Sequence, residues 1–320
     1  MTDEVPAVAH LLAGAPRNWG RWGEDDEVGT LNHLGPAEVL AGLGTVRQGR
    51  VFTLQTPMFH EHGDPSSPAR AAPRRYMVQD QGSWYAPEPP DLPGGARYAD
   101  DVVVSHLQGS TQYDALGHVW YDDTLYNGYD AATTIGGLRK ASVLPIAERG
   151  VVGRGVLVDM AGFRGKRHLD RDETFTHEDL AAAAAAQGVE IRPHDVLLIN
   201  TGWLEFFYSV PREEFFGESY QEPGLVYTPE LAEWFQTMEI ANLATDTIGN
   251  EVLIDPRNGT TLLVHCALMR NLGLVFTEIC DLRALVADCR ADGQWDFLYA
   301  AAPLKVVGGT GSPVNPIVVK

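Results

Sequence analysis

Gln108-Gly-Ser-Thr-Gln-Tyr-Asp-Ala-Leu-Gly-His118 is the stretch on which the reading of this chain turns. It follows VVVSH (102–106), a β-branched run that predicts a strand. Along extended backbone alternate residues face one side, so Gln108, Gln112 and Asp114 share a parity and can converge on one point. His118 follows four residues after Asp114, beyond the turn-like Leu-Gly. Two amides, a carboxylate and an imidazole set just after a strand form a candidate polar site. Each also has a plainer use, because Gln or Asp in a turn commonly bonds its own backbone.

Outward from this stretch the chain alternates strand and helix patterns. Short apolar runs predict strands over 51–56, 155–160 (GVLVDM), 195–200 (DVLLIN), 240–244, 274–277, 305–307 and 314–319. Helical spacing covers 36–43, 229–239 and 265–272, and an alanine-rich helix covers 177–187 between Thr176 as N-cap and Gly188 as stop. The connections are long, which predicts one α/β domain over 1–320 and not a clean doubly wound sheet. Residues 1–16 read as a loose arm. Residues 60–95 are rich in Pro, Gly and Ser yet carry Tyr76, Trp84 and Tyr85, so the stretch is expected to pack over something, either as a lid over a pocket or as plain wrapping of the surface.

The 320 residues are 44% hydrophobic and 21% charged, with 24 Lys and Arg against 43 Asp and Glu. A net charge of -19 argues against nucleic acid or an anionic membrane as a partner, because both need basic patches. Cys266, Cys280 and Cys289 have no CxxC spacing, so neither a disulfide scaffold nor a cysteine zinc site is expected. The N-terminus lacks a basic stretch before its apolar run, and no run approaches the length of a membrane span. The expected setting is cytoplasmic, with a small molecule as substrate and no nucleotide cofactor.

The 108–118 stretch resembles the signature of the cyclase family, which includes bacterial kynurenine formamidase and isatin hydrolase. The family pattern is His-x-Gly-Thr-His-x-Asp-x-Pro-x-His. Thr111, Asp114 and His118 match it, Gln108 and Gln112 stand at its first two histidines, Ser110 replaces the glycine and Leu116 the proline. RWGEDDEVGTLNHL, DVLLINTGW, ATDTIGNE and the closing PLKVVGGTGSPVNP extend the likeness to the family's longer branch. The resemblance implies a swivelling β/β/α domain in a homo-oligomer, a dimer or tetramer. It implies a divalent metal held at positions 108, 112 and 114 together with His265 and Glu278, and His118 as acid/base.

Glutamine is a neutral oxygen donor where the family has imidazole nitrogen, so the set Gln108, Gln112, Asp114, His265 and Glu278 suits Mn²⁺ better than firmly held Zn²⁺. Three readings follow. The first is a metal-assisted hydrolase of a cyclic or acyclic amide or ester, with His118 and Asp114 catalytic. The second is a metal-independent cyclase, dehydratase or isomerase of an oxygenated, polyketide-like substrate, with His118 as base and the amides steadying an oxyanion. The third is a binding protein that kept the fold without the chemistry. Trp84, Tyr113, Trp120 and Tyr126 are the candidate substrate contacts, and they point to an aromatic or extended apolar molecule.

Overall fold

The computed structural model describes residues 5–320, so the first four residues of the expected arm lie outside the described residues. Within the arm, Val8–Leu11 is a helical turn and Leu12 is buried, which ties it to the body. In chain order the strands are β1 (Val51–Thr53), β2 (Arg74–Gln79), β3 (Asp100–Val104), β4 (Gln112–Asp114), β5 (Val151–Asp159), β6 (Thr174–Phe175), β7 (Val196–Asn200), β8 (Gly224–Leu225), β9 (Asn242–Thr245), β10 (Val275–Glu278), β11 (Asp296–Ala301), β12 (Gly311–Pro313) and β13 (Ile317–Val319).

Nine of them form one sheet in the order β1-β13-β11-β5-β7-β9-β10-β4-β12. Its centre, β5-β7-β9-β10, is parallel. Every residue of β7, β9 and β10 is buried, and all of β5 except Val152, as expected where helices cover the faces. Parallel neighbours need crossovers, and helices His177–Gln187, Pro229–Met238 and His265–Asn271 supply them. The first packs Leu180, Ala183 and Ala184 inward, with Gly188 left-handed at its end (φ 73°) as its sequence predicts. On the far side β4 is squeezed, fully buried, between antiparallel β10 and β12.

Three expectations are corrected. Residues 305–307 form no strand; Val306 N–H turns back to Leu304 O. The expected strand 314–319 is shorter, β13 over Ile317–Val319 alone, because Pro316 offers no N–H to continue the ladder back through 314–316. The stretch 60–95 is not one loop. Asp64 and Ser66 are buried against the body, then β2 leaves it and pairs with β3, and Gln81–Tyr85 is a helical turn.

Candidate metal centre and its acid/base histidine

Register assembles the site. Gln112 of β4 lies opposite Glu278 of β10, and Asp114 lies opposite Gly311 of β12. Directly opposed residues and residues two apart share a face, so Gln112, Asp114 and Glu278 project together while Tyr113 projects to the other side. Gly311 has no side chain to place beside Asp114. A Cβ there would lie 2.6 Å from Gln108 Nε2, so the Gln108 amide occupies that space and donates to Thr310 Oγ1 at 3.1 Å. Thr111 Oγ1 donates to Ile279 O (2.6 Å) and accepts from Thr56 N–H (2.9 Å), pinning the approach to β4.

His265 opens a wide, π-type helix, a geometry common at functional positions. Glu251 fixes it: the carboxylate accepts from His265 Nδ1 and from the N–H groups of Val264 (2.7 Å) and His265 (2.9 Å). A carboxylate on one imidazole nitrogen sets the ring and leaves the other nitrogen as a ligand. Here that is Nε2, 3.3 Å from Glu278 Oε1 and 3.9 Å from Asp114 Oδ2. On the opposite side of Asp114, His118 Nε2 stands 3.9 Å from Oδ1. Asp114 thus sits between two imidazoles and bonds neither; both of its oxygens are buried and unpartnered.

Glu278 is gripped by two amides. Gln112 Nε2 donates to Oε2 at 2.6 Å and Asn250 Nδ2 to Oε1 at 3.1 Å. With the nitrogens turned to the carboxylate, the carbonyl oxygens Gln112 Oε1 and Asn250 Oδ1 are left buried without partners. Burial, with the Asp114 charge, raises the Glu278 carboxyl above the ordinary range. Burial opposes a charged His265, but its bonds to Glu251 and Glu278 prevail and push it up to about 10. Burial lowers the His118 imidazole; Asp114 opposes this, while His265 and Arg70 add to it.

Ligand atoms of Asp114, His265 and Glu278 all lie within 4.8 Å of one another. This group, with the unpartnered oxygens around it, fits a divalent cation. A second group meeting the same distance test, His33, His194 and Glu239, does not. His194 already bonds Glu38 and Glu239 at 2.9 Å each, and the two imidazoles stack at 4.8 Å and 16°, so no point lies in the plane of both rings.

The expected substrate aromatics are mostly elsewhere. Tyr113 is buried on the far face, its hydroxyl donating to Asn242 Oδ1 (3.1 Å) and bonded to Tyr299 (2.9 Å). Tyr126 is also core, its hydroxyl on Asp26 (2.7 Å) and its ring against Gly273. Trp84 lies beyond the distal end of the β2-β3 ribbon, against Tyr98 and Arg97. Trp120, 41% exposed and two residues from His118, is the one of the four left open to solvent near the site.

Sequence reasoning missed Asn250 and Glu251, although both stand in the quoted run ATDTIGNE, where a lone acid after Gly-Asn could have been weighed as a partner for His265. It also missed Arg70, which donates to Gln108 O at 2.9 Å, and Glu222. Burial, with the Glu278 charge adding, pushes the Glu222 carboxyl up to about 8; Tyr220 and the Ile248 N–H bond its Oε2 while Oε1 has no partner.

Residues 45–252 match the profile of the family described as "Putative cyclase". The crystal structure of a novel cyclase is similar with a TM-score of 0.86 and 35% identity, over 95% of this chain and 100% of that one. Isatin hydrolase A from Labrenzia aggregata, bound to benzyl benzoate, is similar with a TM-score of 0.60 and 19% identity, over 88% and 97% of the two chains. Isatin hydrolase A from Ralstonia solanacearum has a TM-score of 0.60 and 20% identity, over 89% and 97%. No curated protein matches the chain. The two isatin hydrolases share the fold; the profile match and the 35% identical cyclase carry the assignment. The chain belongs to the cyclase family.

Proposed function

We propose that this protein is a metal-assisted hydrolase of a cyclic or acyclic amide or ester of a small molecule. The observation that carries the reading is the group of buried oxygens without partners. Asp114 Oδ1 and Oδ2, Gln112 Oε1 and Asn250 Oδ1 gather around Glu278 and the Nε2 of His265. Each such group costs about 1–3 kcal/mol when left dry, and more when charged. A divalent cation offsets that cost. Asp114, His265 and Glu278 would hold it, with the Gln112 and Asn250 carbonyls and the nearby Gln108 amide making the set oxygen-rich, in favour of Mn²⁺ over Zn²⁺.

A cation bound there supplies polarisation of the scissile carbonyl and a more acidic water. The chain supplies the proton traffic. His118 is kept neutral near pH 7 by its burial, with Arg70 adding to the effect, so its Nε2 takes a proton from the attacking water. Asp114 Oδ1, 3.9 Å away, stabilises the imidazolium, which then returns the proton to the leaving nitrogen or oxygen. The isatin hydrolases that share the fold are named for this class of reaction. The metal-independent reading asked Gln108 and Gln112 to donate to an oxyanion, but their amide nitrogens are directed at Thr310 and Glu278.

The test is elemental analysis of the purified protein with turnover on a panel of lactams, N-acyl anilines and aryl esters. Turnover should vanish on chelation and return with Mn²⁺. His118→Ala should lose about 10²- to 10⁴-fold in turnover while keeping a substrate analogue bound. Full activity in chelated protein, or in the His118→Ala variant, would sink the mechanism.

A further inference from the structure

Among the described residues, five arginines are at least half buried: Arg70, Arg154, Arg171, Arg270 and Arg283. Four of them are held on more than one side. Arg154 pairs with Asp195 and Asp296, and Arg283 with Asp281 while lying over Tyr208. Arg171 donates to the carbonyls of Phe215 and Glu214 and lies over Trp203 and Phe206. Arg270 donates to Thr124 O, Asn271 Oδ1 and Tyr121 O between the rings of Trp19 and Tyr121. Arg70 makes one bond, from Nη1 to Gln108 O at 2.9 Å, and among the described residues it has neither an ion pair nor a ring beneath it. Taking a charge partly out of water without a partner is unfavourable. With 43 acids against 24 bases in the chain, the isolation of this guanidinium is not for want of carboxylates.

Its place is fixed beside the site. A turn closed by Arg70 N–H on Ser67 O (2.9 Å) follows the buried Asp64 and Ser66. The Nη1 bond lands on the first residue of the 108–118 stretch, whose own amide lies over Gly311, opposite Asp114. Nη1 is thereby committed to backbone, and the Nε–Nη2 edge, the two-pronged side of the guanidinium, has no protein partner. The Arg70 charge acts on both His118 and Glu278, lowering each, so it lies within electrostatic reach of the reacting centre. We propose that the substrate of this protein carries a carboxylate, which Arg70 binds through Nε and Nη2. The proposal rests on the hydrolase reading for the reacting bond and adds a charged group elsewhere on the same molecule. Two parallel N–H donors match the two coplanar oxygens of a carboxylate. A single unpaired cation near Asp114 and Glu278 suits a monoanion, whereas a phosphate brings close to two charges. Trp120, 41% exposed and two residues past His118, gives the rest of the molecule an aromatic surface.

Calorimetric titration of the purified full chain reads binding apart from turnover. The probes are ortho-, meta- and para-acetylbenzoate, ketones that cannot be hydrolysed, each compared with the methylacetophenone that has a methyl group in place of the carboxylate. At least one acid should bind about 10- to 100-fold more tightly than its neutral counterpart, the worth of a hydrogen bond to a charged group. Arg70→Met should erase that gap while the cooperative thermal transition is kept. Should that variant fail to fold, Arg70→Lys decides, because it keeps the charge without the fork and should narrow the gap. A carboxylate held by a metal instead of by Arg70 would leave the gap unchanged in both variants. The proposal is overturned if no acid outbinds its neutral counterpart, if the gap persists in a folded variant, or if phenyl phosphate binds more tightly than all three acids. A gap in a protein without turnover would sink the hydrolase reading and leave Arg70 as a carboxylate site; a chelator-sensitive hydrolase without the gap would do the reverse.

Discussion

Metal uptake at Asp114, His265 and Glu278 should expel protons, and the count can be worked from the site. In the metal-free protein His265 is held as imidazolium, pushed up to about 10 by its bonds to Glu251 and Glu278 against the effect of burial. A ligating imidazole must give up its Nε2 proton first. At pH 7 that proton is held over about three pKa units, which at about 1.36 kcal/mol per unit opposes binding by about 4 kcal/mol. Apparent affinity should therefore climb about tenfold per pH unit between pH 6 and 8, more steeply at the low end where the raised Glu278 carboxyl also carries a proton. Calorimetric titration of chelator-treated protein with Mn²⁺ or Zn²⁺, in buffers of different ionisation enthalpy, reads the number released: at least about one at pH 7. Stability gives a second reading. A folded pKa above the unfolded value of about 6.5 stabilises fully below pH 6.5, and this contribution is lost as pH rises towards 10. The metal-free protein should weaken over that range more than the loaded one. Stoichiometric binding with no proton released would mean that His265 is neutral or is not a ligand, and the argument from Glu251 would fail.

Three further outcomes are expected. Arg70→Met removes a charge that lowers the His118 pKa, so the acid limb of the kcat/KM profile should move to higher pH; an unmoved limb would separate Arg70 from His118. Gln112→His, facing Glu278, should raise zinc affinity by several kcal/mol, on the order of the gain from an added ligand, and Gln108→His should add less because that amide is committed to Thr310 over Gly311; calorimetry with zinc decides. Burial lowers His33 to about 4, so between pH 6.5 and 4 the unfolded chain takes up a proton that the folded one refuses, at a loss of up to about 3 kcal/mol. His194 is raised by Glu38 and Glu239 despite its burial, so its contribution has the opposite sign, present below about pH 6.5 and lost as pH rises above it. His33→Phe, which keeps the stacking, should flatten the denaturant midpoint over pH 4 to 6.5 relative to wild type.

What was legible in the sequence was local. Continuous apolar runs marked the parallel centre at GVLVDM and DVLLIN, because strands covered on both faces need apolar residues at every position. Thr176 and Gly188 bounded the alanine helix through backbone chemistry that needs only neighbours. Parity alone put Gln112 and Asp114 on one face of β4. What lies far away in the chain was decided by register. Glu278 meets Gln112 across 166 residues, and only that pairing turns the amide nitrogen to the carboxylate and its carbonyl oxygen to the site. Glu251 acts on His265 because the π-type helix begins where it does, and Gly311 must be glycine because a Cβ there would meet the backbone carbonyl of Tyr113 at 2.7 Å as well as the Gln108 amide. An aromatic near a motif carries no mark of which face it will take. Tyr113 went to the core by its place on β4, Tyr126 by its helical turn against Gly273, and Trp84 to the end of the ribbon; tertiary packing, not residue type, chose their neighbours.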